Sequence, residues 1–356
     1  FFDSSDSKST ILKSIKMKSG KFNFLNNTYL NQYFNVSFKD ETIINIVGGS
    51  LNGSINIDKT NFIKVNLNNT RFDFDGIKLA QSNLQSDINN LSLRFIGKNI
   101  RTKDNLIQDV DFYLLKNKNI LTIDSININS SRLKIGPNKD NQKAYISYNS
   151  NLDLFKIKGK YRLDNSSGYF NNLSKYRFNF FQTDLNIQWN SLNYLLNLEG
   201  KLDFLIKDLN LDTEIPESTF LRALRILNLN AIVEGLDDAS DDIVNINRAS
   251  GRIIVGKKRA FIEYPIVFET DEASLKWVGE VLKNQKGELD NLNLDLSLRL
   301  KISENIPWYA AILGGIPAIA GSMVFENMFE DTIENISTIN FKVQGTTDEP
   351  KIKRLN

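Results

Sequence analysis

Apolar side chains alternate with polar ones along most of the chain, and that period of two predicts strands with one greasy and one wet face. The clearest run is 291–302, where Leu292, Leu294, Leu296, Leu298, Leu300 and Ile302 hold the even positions. A second run has Leu192, Tyr194, Leu196 and Leu198, then Gly200, then Leu202, Phe204 and Ile206. It reads as a hairpin or as one long strand kinked at the glycine. Shorter runs precede it, among them Leu51 to Ile57, Leu91 to Phe95, Ile126 and Ile128, and Leu154 to Leu163. Others follow in residues 243–268, punctuated by Gly251 and Gly256. Turn signals every ten or so residues predict an antiparallel meander of roughly 18 to 22 strands. Twist accumulates in so wide a sheet until it curls, splits or closes. With few helices to cover it, the sheet is expected to bury its greasy face by curling into a barrel, a sandwich or a trough.

The strand pattern breaks twice. At 214–230, Phe220, Leu221, Leu224, Ile226 and Leu227 form an apolar stripe with Arg222 and Arg225 outside it. Pro216 suits the first turn of this amphipathic helix. It lies on one end of the core or against a lipid surface. The second break, 305–325, is the one long run without a charge. Trp308, Ile312, Gly315, Ile316 and Ile319 fall there at helical spacing, Gly314-Gly315 interrupts, and Pro317 restarts. Two short apolar helices are predicted, with an acidic tail from Glu326 to Glu334. Three readings stand: a plug on the sheet, a pair of helices dipping into a bilayer surface, and a transmembrane span. A span needs about 20 apolar residues, and the prolines, the glycine pair and the lack of flanking Lys or Arg disfavour it. Helices first enter near 211–216, which sets the expected division into 1–211 and 212–356.

Composition removes most chemistry. The 356 residues carry 44 basic and 42 acidic side chains, a net charge of +2, which gives no reason to expect nucleic acid. There is no Cys and no His, so disulfides, thiolate metal sites, the commonest metal ligand and the commonest general base are all missing. Asp237, Asp238, Asp241 and Asp242 do not have the spacing of a calcium loop. Gly48-Gly49 and Gly314-Gly315 lack the context of a phosphate loop. No nucleophile, base and oxyanion site assembles, so an enzyme is not expected and no cofactor is implied. The chain opens at Phe1 with no signal-like stretch, which reads as a fragment of something longer.

What remains is a long apolar face. A groove lined by Leu192 to Ile206 and by Leu292 to Leu300 suits acyl chains, each buried CH₂ contributing about 0.8 kcal/mol. A filled core is the alternative.

Residues 200–356 resemble the C-terminal region of AsmA-like proteins, nearest to the YhdP type. The matching pieces are Gly200 to Phe204, the helix Phe220 to Leu229, the Asp-rich loop followed by 243–256, the strand to Ile302, the helices around Gly314-Gly315-Ile316-Pro317, and Gly345 to Ile352. The last is similar to the family's closing G-x-W-x-x-P-x-V, with Thr347 where an aromatic is commoner. The resemblance implies a U-shaped antiparallel trough, or β-taco, that passes phospholipid across the periplasm of Gram-negative bacteria. It implies an inner-membrane anchor outside this chain and an outer membrane met by the C-terminal helices. Phe220, Leu224, Leu227, Trp308, Tyr309, Ile312, Leu313, Ile316, Ile319, Met323, Phe325, Met328 and Phe329 would touch that membrane or cap the groove. TamB-type relatives imply a second role, in outer-membrane protein assembly.

Overall fold

A computed structural model describes residues 12–24, 27–72, 90–102, 106–165, 176–190, 196–211, 244–270, 273–300, 338–347 and 349–355. The fold class is mainly β, as expected: there are twenty strands and no helix among the described residues. Both predicted helices, the Asp-rich loop, and Leu192 and Tyr194 lie outside the described residues. So do all thirteen residues assigned to the membrane or groove cap.

The chain forms two compact units, Phe1–Pro137 with Lys143–Ser147, and Asn138–Gln142 with Tyr148–Asn356. The first is a sheet of β1 (Ser14–Phe24), β2 (Asn27–Phe38), β3 (Thr42–Val47), β4 (Gly53–Ile57), β5 (Ile63–Asn68), β6 (Asn90–Arg101), β7 (Leu106–Asn117), β8 (Ile120–Ser130) and β9 (Leu133–Gly136). Sequence neighbours pair antiparallel throughout except β5 and β6, which run parallel. This departs from the pure meander that alternation predicts. A parallel return needs a connection of a dozen or more residues, and 69–89 supply the length. Strand β10 (Ala144–Asn149) is divided between the units.

The second unit continues with β11 (Leu154–Asp164), β12 (Tyr176–Arg177), β13 (Phe180–Asn190), β14 (Leu196–Leu211), β15 (Val244–Val255), β16 (Arg259–Glu269), β17 (Ala273–Lys283), β18 (Leu289–Leu300), β19 (Thr338–Gly345) and β20 (Pro350–Leu355). From β13 to β20 every neighbour pair is antiparallel, β11 pairs with β13, and the two-residue β12 lies beside β14. The ambiguous run around Gly200 is one sixteen-residue strand, β14. Gly200 sits in it with φ +127, and a Cβ there would overlap the Asn186 carbonyl oxygen of β13. Gly251, expected to punctuate strands, instead lies within β15. A Cβ there would press on Ile266 of β16.

Four strands carry a left-handed residue in their interior: Asn31, Asn99, Ser125 and Asp208, with φ between 52 and 53. Across each one the spacing of covered side chains stretches from two to three. Gly97 and Ile100 flank Asn99, and Ile206 and Leu209 flank Asp208. Such an extra residue bends and twists a strand. Here it also returns the apolar residues to the same face, so the bend does not turn Leu209 or Ile100 to the water.

Candidate functional site

The strand registers align apolar side chains into rows that run across each sheet. In the first unit one row passes from Phe34 through Ile46, Gly53, Leu67, Gly97, Val110 and Ile128 to Ile135. A second passes through Val36, Ile44, Ile55, Val65, Phe95 and Phe112. In the second unit a row runs from Leu163 through Phe181, Ile206, Ala249, Phe268 and Leu275 to Leu298. Beside it, Ile266 faces Trp277, which faces Leu296, which faces Phe341. None of these positions carries a charge.

The opposite face carries the charges, and several of them are paired. In the first unit Arg94 donates from Nε and Nη2 to the two carboxylate oxygens of Asp111, at 3.1 and 2.7 Å. In the second, Arg252 donates to Asp203 at 3.1 and 2.7 Å and to Glu263 at 3.2 Å, and its guanidinium lies 4.1 Å from the Tyr264 ring centre. Lys201 pairs with Glu263, Arg259 with Glu280 and Lys342 with Asp295. Burial would raise the Asp203 carboxyl, but hydrogen bonds from Lys139 and Arg252 outweigh it and hold the pKa below the ordinary 3.8. One face for water and one without charge is the arrangement that single-layer curling requires.

The strands curl within each unit. The Tyr29 hydroxyl of β2 donates at 3.1 Å to the Arg71 carbonyl, beyond the end of β5, across two intervening strands. The Lys283 ammonium of β17 donates at 2.6 Å to the Leu198 carbonyl of β14, across β15 and β16. An added Cβ at Gly287, in the turn after β17, would come within 2.5 Å of the Asn197 side-chain oxygen on β14. A flat sheet would hold β14 and β17 about 14 Å apart, three strand spacings. Partial burial lowers the Lys283 pKa.

The expected groove residues are brought onto one sheet of the second unit, in two environments. Leu198, Leu202, Phe204 and Ile206 are half-buried, whereas Leu292, Leu294, Leu296 and Leu298 are 2–5% exposed. The latter pack with Leu275, Trp277 and Val343, all 0% exposed, in one cluster. Leu196 and Leu300 belong to β14 and β18, but their side chains are outside the description. Sequence reasoning missed β17, which joins the two halves of the expected groove. Its signal was the alternation of Leu275, Trp277, Gly279 and Val281, weakened by the glycine. Tyr161 of β11, which falls in the alternating run Leu154 to Leu163, donates to the Lys158 carbonyl at 3.1 Å, and burial pushes its pKa up to about 12. Tyr148, Phe155 and Trp189 make a further aromatic stack, with ring centres 4.4 and 5.4 Å apart in succession.

No protein-family model, curated protein or solved structure matches the chain, so its likeness to AsmA-like proteins rests on the residues quoted above.

Proposed function

We propose that the chain is a non-enzymatic lipid conduit, its uncharged sheet face carrying phospholipid acyl chains while head groups stay at the open edge. The observation that carries this reading is the set of apolar rows across successive strands, backed by an opposite face that holds the charges. Half-burial of Leu93, Phe95, Leu202 and Phe204 leaves apolar surface that a fatty tail would cover. In this reading the protein works in the periplasm of a Gram-negative cell between inner and outer membranes, with lipid and membrane as its partners and no nucleic acid. Organic extraction of protein purified without detergent yields phospholipid in this reading, and lipid-free protein contradicts it.

One observation favours a second reading, a closed structural β domain: the cluster around Leu275, Trp277, Leu296 and Val343 is sealed from water. If the half-buried positions of β11 to β14 are sealed too, no lipid is extracted. If the face instead binds client strands, as in a TamB-like assembly role, crosslinks go to outer-membrane proteins.

A further inference from the structure

The charged face of the first unit changes character over β1, β2 and β3. No acidic residue lies between Asp6 and Asp40, while six lysines do: Lys8, Lys13, Lys16, Lys18, Lys21 and Lys39. Strand β3 has no charge. On β1, Lys16, Lys18 and Lys21 are exposed and join no ion pair among the described residues. The register sets Lys21 opposite Leu30, Lys18 opposite Tyr33, and Tyr33 opposite Val47. Leu30, Tyr33 and Val47 are 60%, 51% and 62% exposed, and the Lys18 ammonium stands 5.3 Å from the Tyr33 ring centre. These residues lie on the side away from the apolar rows, since their neighbours Tyr29, Phe34 and Ile46 point into the core cluster.

Exposed aliphatic side chains, an amphipathic tyrosine and unpaired lysines together match one environment. At a bilayer surface the apolar groups sink to the acyl boundary, the tyrosine sits at headgroup level and the lysines reach anionic phosphates. We infer that the outer face of β1–β3 docks flat on an anionic lipid bilayer. This surface is distinct from the inward apolar rows and does not depend on the conduit reading.

The test uses the full chain with two vesicle types, phosphatidylcholine alone and phosphatidylcholine mixed with phosphatidylglycerol. The chain sediments with the mixed vesicles, less so as salt rises. The triple variant K16Q/K18Q/K21Q partitions on the order of 100-fold less, because each lysine near an anionic surface contributes independently. Its unfolding midpoint matches the parent, since exposed lysines support no packing. The absence of cysteine allows one fluorophore at Val47→Cys, whose emission shifts to the blue on mixed vesicles. Equal binding to pure phosphatidylcholine, unchanged binding by the triple variant, or no blue shift at Val47→Cys overturns the inference. So does binding to a soluble polyanion such as heparin without binding to vesicles. Failure here leaves extracted phospholipid as an independent readout of the conduit.

Discussion

Gly200 and Gly279 hold φ of +127 and +120 where the neighbouring strand comes closest, and a Cβ at either would strike a backbone carbonyl, Asn186 or Asn293. Gly200→Ala and Gly279→Ala should therefore each cost about 2–3 kcal/mol, read as a lower urea midpoint with unchanged slope. Two titrations are set by their surroundings. The Asp203 carboxyl has a folded pKa below its unfolded 3.8, so its contribution is present above pH 3.8 and is lost as pH falls through the folded value. Asp203→Asn should flatten the acid limb of stability in that window, where an unchanged limb would show that Lys139 and Arg252 do not stabilise the carboxylate. The Tyr161 phenol, raised from 10.0 to about 12, contributes stability that is present below pH 10 and lost as pH rises toward 12. Absorbance at alkaline pH should show a late-titrating tyrosine component that Tyr161→Phe removes. The alternation that marks Tyr161 as inward-facing was plain in the sequence. That its hydroxyl would be buried on a carbonyl three residues back was not, because local hydrogen bonds leave no periodic trace.

At the scale of the strand, the interior left-handed residues are the device that lets bent strands keep one apolar face. Ser125 is the least suited of the four, since serine gains less than asparagine in that conformation and its buried hydroxyl has no partner. Ser125→Gly should stabilise by about 1 kcal/mol, and Asn99→Val should destabilise by about 1–2 kcal/mol. Both are read by chemical denaturation, and equal midpoints would remove the bulge from the account. Strand existence was legible wherever apolar residues fell on every second position, as at Leu292 to Leu298. It faded where a bulge stretched the spacing to three, as from Ile206 to Leu209, or where a glycine replaced an apolar residue, as at Gly279. Strand order was only half legible. Antiparallel neighbours follow from short turns, but the parallel β5–β6 pair depends on a long connection that carries no signal of direction.

For the whole molecule, the question is whether the curl within each unit leaves room for a lipid tail. The curl is testable by oxidation: Asn197→Cys with Gly287→Cys should form a disulfide, which a flat sheet at about 14 Å forbids. Composition and alternation foretold a one-sided sheet that must curl. They did not foretell that Leu292 to Leu298 would be sealed while Leu202 to Ile206 stay half-covered, because alternation reports which face a side chain takes and not what lies above it. Photocrosslinkers placed one at a time along β14 in living cells decide the matter most directly. A conduit gives lipid adducts from Leu202, Phe204 and Ile206 and none from Lys201, Asp203 and Lys207, a period of two along one strand. Adducts from neither set, or equally from both, would contradict it.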